Sequence, residues 1–269
     1  MNICVFDTET TSLEKPFCYN IGYTIYDTDN NEKLLSRDFV VEQVWHNTML
    51  FTTAYYADKR EIYVNRMRSR KVRMEKWGYI TQQMYRDFKD FDITLAFAYN
   101  SPFDVKVMEY NCDWFKTINP LDTIKVLDIR GYVHRAIAFD EDFQKFCDEH
   151  QYYTESGNYS TTAETLFRYI TDNTEFEEEH TALADSLIEC DILAHCCNIN
   201  CSYGEEYKVY ATIPRYELKT FEVIDAEGER HTFEYTNKRK IPNSDGIKLT
   251  IKSSTEPPKS KNKGMYTPL

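Results

Sequence analysis

The apolar positions near the start of the chain fall in short blocks separated by turn chemistry. Ile3 to Phe6 is an apolar run that stops at polar Asp7-Thr8-Glu9-Thr10-Thr11. Tyr19 to Tyr26 is rich in aromatic and β-branched residues, and Asp27-Thr28-Asp29-Asn30-Asn31 follows with turn residues. Leu34 to Val41 returns as a partner strand, so the three blocks predict a hairpin beside a first strand. From Val44 to about Phe91 the pattern turns helical, with no Pro, one Gly (Gly78) and many Arg, Lys, Glu, Met and Gln. Ile93 to Tyr99 is a compact apolar block that predicts a buried strand. It runs into Asn100-Ser101-Pro102-Phe103-Asp104, where Ser101 can cap a helix and Pro102 can start it.

Further on, Ile124 to Ile129 predicts another strand, followed by helical material from Gly131 to about Cys147. Ser160 to Ile170 and His180 to Asn198 read as two more helices. Thr220 to Tyr235 predicts a hairpin around Gly228, and Gly246 to Ser253 a further strand. The expected division is a core domain over 1–203, a small β-rich appendage over 204–256, and a disordered basic tail over 257–269. A hairpin followed by strands alternating with helices indicates an α/β fold, a mixed sheet with helices on its faces. In such sheets the site commonly lies at the ends of adjacent central strands.

Composition changes this picture little. The 269 residues are 42% apolar and 28% charged, enough to bury a large core. No run approaches the roughly 18 apolar residues of a spanning helix, so no membrane is expected. The N-terminal residues lack a basic region and reach an acid at Asp7, unlike a signal peptide. Eight cysteines without framework spacing point to a reducing, cytoplasmic setting. The Tyr and Asn content suggests a phage or other viral source, which would make that setting the host cytoplasm.

The net charge of -12 argues against a protein that coats nucleic acid. The distribution is uneven, however. Asp58 to Lys76 carries eight bases and three acids, whereas Asp140 to Asp191 carries fifteen acids and two bases. The basic stretch, with Arg66, Arg68, Arg70 and Arg73 among Tyr55, Tyr56, Tyr63 and Trp77, reads as a grip for phosphates or as a solvated helix face with its aromatics buried. His195-Cys196-Cys197 with Cys201 has no second Cys pair at zinc-finger spacing and reads as buried small hydrophobes.

The acids carry the chemistry. Strand alternation places Asp7 and Glu9 on one face, delivered to the end of the first strand. Asp104 follows another central strand. His180 and Asp185, five apart, would lie about 140° from each other around a helix. Acids converging from several elements repel unless cations neutralise them, and hard oxygen ligands suit Mg²⁺ or Mn²⁺. Carboxylate clusters of this kind serve two-metal phosphoryl transfer.

The order Phe6-Asp7-Thr8-Glu9-Thr10-Thr11, then Asn100-Ser101-Pro102-Phe103-Asp104, then His180 and Asp185 resembles the DEDDh exonucleases, proofreading-type 3′–5′ exonucleases with a ribonuclease-H-like fold. The resemblance spans roughly residues 1–200 and implies a mixed five-stranded sheet, with 44–91 as a long helical insertion. It also implies that Asp7, Glu9, Asp104 and Asp185 hold two Mg²⁺ ions and that His180 takes the proton from the attacking water. Thr8, Thr10, Thr11, Leu13, Asn100 and Phe103 would meet the terminal nucleotide, Leu13 as a wedge against its base. Many relatives have Gly where this chain has Ser12. The implied substrate is the 3′ end of single-stranded DNA, with a replication or repair partner. The alternatives are an exoribonuclease, a phosphodiesterase for short oligonucleotides or cyclic nucleotides, and a non-catalytic module that binds nucleic acid or a polymerase.

Overall fold

A computed structural model describes residues 1–52, 60–215, 218–224, 230–236 and 248–251. The chain divides into two compact units, one of residues 1–146 with 161–211, the other of residues 147–160 with 212–269.

The first unit is built on a six-stranded mixed sheet. Its strands are β1 (Asn2–Thr10), β2 (Cys18–Asp27), β3 (Glu32–Val41), β4 (Arg73–Glu75), β5 (Leu95–Ala98) and β6 (Lys125–Asp128), in the order β4-β3-β2-β1-β5-β6. Among them β2 alone runs against the rest, since β1–β5, β5–β6 and β3–β4 pair in parallel. The five strands expected from the sequence are therefore present in one mixed sheet, joined by a sixth. That sixth strand corrects the continuous helical reading of 44–91, which divides into α1 (Glu42–Trp45), α2 (Thr48–Thr52), α3 (Arg60–Arg68), β4 and α4 (Trp77–Asp90). Three residues with Arg73 and Glu75 at the ends leave no apolar signal, and such charges suit an edge strand.

Both faces of the sheet are covered. The remaining helices of this region are α5 (Ser101–Phe115), α6 (Ile129–Ala136), α7 (Glu141–His150), α8 (Ala163–Thr171) and α9 (Ala182–Ile199). Alternation along β2 shows the layering: the Tyr23 hydroxyl reaches Asp87 of α4 at 2.6 Å, whereas neighbouring Gly22 faces α9. On α4, buried Trp77, Ile80, Met84 and Phe88 recur at helical spacing and fill the core beneath the sheet. A Cβ at Gly22 would fall 2.1 Å from the Leu183 amide nitrogen, so only glycine admits α9 this close.

Three boundaries differ from the sequence reading. Asn100, in the left-handed region at φ 65°, takes the cap position of α5, and Ser101 is its first residue rather than its cap. The helix expected over Gly131–Cys147 is two helices, broken where the amides of Ile137 and Ala138 both close on the Val133 carbonyl. His180 lies outside α9, in the left-handed region at φ 49°, a conformation that cannot continue a right-handed helix.

In the second unit Tyr159 bridges both Tyr153 and Ile213, and Arg215 pairs with Asp148 at 3.1 Å. It also holds the antiparallel strands β7 (Leu218–Ile224), β8 (Arg230–Thr236) and β9 (Lys248–Ile251). Gly228 and the tail over 257–269 lie outside the described residues. Among the described residues no helix is long and apolar enough to cross a membrane. All eight cysteines are free.

Candidate metal centre

The site begins where β5 ends. β1 pairs with β5 only at Cys4 and Val5, then continues to Thr10 against β2. Asp7, Thr8 and Glu9 therefore belong to the strand rather than to the polar stop expected after Phe6. Beyond β5 the Thr8 amide has no ladder partner on that side, and Asp104 at the start of α5 supplies one. Asp104 Oδ1 accepts from the Thr8 amide at 3.1 Å and from the Thr8 hydroxyl at 2.6 Å. This fixes α5 to β1 at the acids themselves.

From above, α9 brings Asp185. Ligand atoms of Asp7, Glu9 and Asp185 lie within 4.8 Å of one another. Asp104 and Asp185 are buried, at 2% and 7% exposure, and Glu9 accepts a hydrogen bond from the Tyr19 hydroxyl at 3.3 Å. Burial, reinforced by Asp104, Glu189, Asp185 and Glu9, holds the Asp7 carboxyl well above the usual carboxylate range. Burial likewise pushes Asp104 up to about 7, against the lowering effect of its bonds from Thr8.

Glu189 is a fifth acid that sequence reasoning missed. It sits four residues after Asp185, hence on the same side of α9, and is buried at 4% exposure. Its Oε2 accepts the Tyr99 amide at 3.3 Å, tying α9 to the chain leaving β5. Burial, then the charges of Asp104 and Asp185, raise its pKa. The four-residue spacing from Asp185 was the available signal, obscured by the many acids around it.

His180 belongs to a different group. Its Nδ1 lies 3.5 Å from Glu178 Oε2, and its ring nitrogen, Glu178 and Glu164 form a second set of atoms within 4.8 Å of one another. The residues expected to meet a nucleotide are divided in their setting. Leu13 is 74% exposed at the tip of the loop after β1. Asn100 is exposed, with its backbone amide donating to Asp128 Oδ1 at 3.0 Å and its side-chain Oδ1 accepting from Arg130 at 3.2 Å. Phe103 is half-buried. Thr8 spends both donors on Asp104, Thr11 donates its amide to the Phe17 carbonyl, and Thr10 donates its hydroxyl to the Ser12 carbonyl. Ser12 shapes the loop itself, its hydroxyl donating to the Lys15 carbonyl and accepting the Lys15 amide. A cleft of about 410 Å³ opens beside Asn100, Asp128, Arg130 and Tyr207, and none of the four motif acids lines it.

Within the basic stretch, Arg66 and Arg73 are paired with acids of the protein itself. Arg66 pairs with Asp38 and Glu179, each at 2.9 Å, and Arg73 pairs with Glu75 at 2.7 Å. Tyr63 and Trp77 are fully buried, while Tyr55 and Tyr56 lie outside the described residues.

No family model matches the chain, and no curated protein matches it by sequence. Among solved structures, E. coli exonuclease I in complex with a dA16 oligonucleotide aligns at 13% identity with a TM-score of 0.49, over 74% of this chain and 41% of that one. The same enzyme with a dT13 oligonucleotide gives 12% identity and a TM-score of 0.47 over the same shares. The nuclease domain of 3′hExo, a DEDDh family member, bound to rAMP, aligns at 12% identity with a TM-score of 0.40, over 79% of this chain and 97% of that domain. The chain thus spans about two fifths of the exonuclease I chains it matches. At these levels of similarity no activity is transferred.

Proposed function

We propose that the chain is a metal-dependent 3′–5′ exonuclease that hydrolyses the phosphodiester bonds of single-stranded DNA from the 3′ end. The observation that carries this reading is the approach of Asp7 and Glu9 of β1 to Asp185 of α9, their ligand atoms within 4.8 Å of one another, with Asp104 of α5 bonded to Thr8 between the two strand acids. Raised carboxyl pKa values at Asp7 and Asp104 mark a site that carries too much negative charge for its burial. Such an all-carboxylate donor set fits a hard divalent cation, Mg²⁺ or Mn²⁺. These four residues would hold two ions, which when bound would supply Lewis-acid stabilisation of the phosphoryl oxygens and an activated water.

The protein's own groups have separate tasks in this reading. Asp104 is braced by Thr8 so that its carboxylate cannot swing away. Glu178 beside His180 Nδ1 favours the proton on that nitrogen, leaving Nε2 to accept a proton from water. Leu13, Asn100 and Phe103 meet the terminal nucleotide. The choice of single-stranded DNA over RNA and the 3′ polarity come from the motif resemblance alone. A replication or repair partner belongs to the same inference.

The test is hydrolysis of end-labelled oligonucleotides with and without Mg²⁺. Wild-type protein should release mononucleotides from a free 3′ end and stall at a 3′ phosphorothioate, and Asp7→Asn should fall to background. Degradation from the 5′ end, nicking of circular DNA, or hydrolysis indifferent to Asp7 would overturn the assignment. A preference for RNA would keep the chemistry and change the substrate.

A further inference from the structure

His180 sits on a short segment that regular secondary structure does not hold. Its φ of 49° is in a region disfavoured for any residue with a Cβ, so its conformation must be imposed by neighbours. The neighbours on both sides are held by one side chain. Arg66 Nη1 donates to Glu179 Oε2 at 2.9 Å and to the Thr181 hydroxyl at 3.4 Å. Its other terminal nitrogen, Nη2, donates to Asp38 Oδ2 at 2.9 Å, and the Asp38 side chain is 1% exposed.

The same network reaches α9. The Asn20 side chain of β2 donates its Nδ2 to Asp38 Oδ1 at 2.7 Å, while its Oδ1 accepts from the Tyr63 hydroxyl and from the Ala182 amide, each at 2.9 Å. Tyr63 lies three residues before Arg66 on α3, so both project from one side of that helix. The Arg66 carbonyl accepts the Lys71 amide at 2.9 Å, which closes the end of α3 and fixes the arginine's backbone. A guanidinium with both terminal nitrogens committed to carboxylates has little left for a phosphate.

We propose that Arg66 is a positioning residue for His180, gripping Glu179 and Thr181 on either side of it and referring that segment to the buried Asp38 of β3. The α3 helix of the insertion is then part of the hydrolytic apparatus, where a basic helix suggests a nucleic-acid grip. This rests on His180 being the general base in the function proposed above.

The experiment compares wild type, Arg66→Ala, Arg66→Lys, His180→Ala and the Arg66→Ala/His180→Ala double variant on one single-stranded oligonucleotide at saturating Mg²⁺. Displacing a catalytic group by about an ångström costs up to about 10²-fold. Arg66→Ala should therefore lower kcat by about 10- to 100-fold with KM changed less than about threefold, and Arg66→Lys should recover part of the loss. The double variant should be no slower than His180→Ala, because the arginine acts only through the histidine. An unchanged kcat, a rise in KM alone, or multiplied losses in the double variant would overturn the proposal. Glu179→Ala leaves the Arg66–Asp38 pair intact and covers the case where Arg66→Ala fails to fold; it too should lower kcat. Amide hydrogen exchange over 178–182 reads the latch without activity and should speed up in Arg66→Ala. An inactive wild type whose exchange still responds to Arg66 would refute the nuclease reading and leave the latch standing. An active wild type whose exchange and kcat ignore Arg66 would refute the latch alone.

Discussion

The acids and the histidine are held in opposite ways. Asp7, Glu9, Asp104 and Asp185 sit on a strand and two helices, are largely withdrawn from water, and are braced by Thr8 and Tyr19. The His180 side chain is 42% exposed, on a left-handed residue between segments, flanked by an ion pair from Arg66 to Glu179 and a hydrogen bond from Arg66 to Thr181. Carboxylates that must keep fixed separations while their charges repel need rigid carriers, and the sheet provides them. A proton-accepting imidazole needs an exposed edge and a defined tautomer, which a latched segment can give.

The sharpest way to break this contrast is to remove one member from each side. His180→Ala should lower turnover by about 10²- to 10⁴-fold, the range for a lost general base, and leave metal affinity unchanged. Asp185→Asn should weaken metal binding and turnover together. Isothermal titration with Mn²⁺ beside single-turnover rates separates the two. Loss of metal binding in His180→Ala would make it a ligand and erase the division.

A smaller effect sharpens the acidic side. The folded-state pKa of Asp104 is raised to about 7 from an ordinary value of 3.8. A raised carboxyl favours the neutral form in the folded state. Its contribution to stability is therefore complete below the ordinary value and lost as pH rises through about 7. Asp7 and Glu189 are shifted in the same direction. In chelator, the melting temperature should fall between about pH 5 and about pH 8, and Mg²⁺ should restore more of it at the higher pH. A melting temperature flat across that interval, with no greater Mg²⁺ effect at the upper end, would show that the acids do not strain the ion-free fold.

Legibility in the sequence followed the same division. Strand blocks such as Tyr19–Tyr26 and Ile93–Tyr99 marked the sheet, because period and β-branching report burial directly. The convergence of Asp7, Glu9 and Asp185 was legible because each acid follows or opens a strongly patterned element. What escaped depends on long-range contacts. β4 is too short to carry a pattern, and Arg66 looks like any helix-face base until Asp38 and Glu179 are seen beside it. The helix formers after His180 predict a helix that includes it, whereas the latch at Glu179 and Thr181 imposes another backbone. Glu189 was hidden by its own kind, one acid among fifteen over 140–191.

Gly22 gives the fold a point of genetic fragility. Glycine has no side chain to offer a substrate, and in a list of variants a change there would pass for a mild alteration of a buried strand. Yet any side chain at residue 22 collides with the backbone of Ala182 and Leu183, just ahead of Asp185. Overpacking of this kind costs about 1–3 kcal/mol, and here it would be relieved by lifting the helix that carries the acid. Gly22→Ala should therefore present as an active-site lesion, losing Mn²⁺ affinity as well as stability, and inheritance at this codon would be as tightly constrained as at the acids themselves.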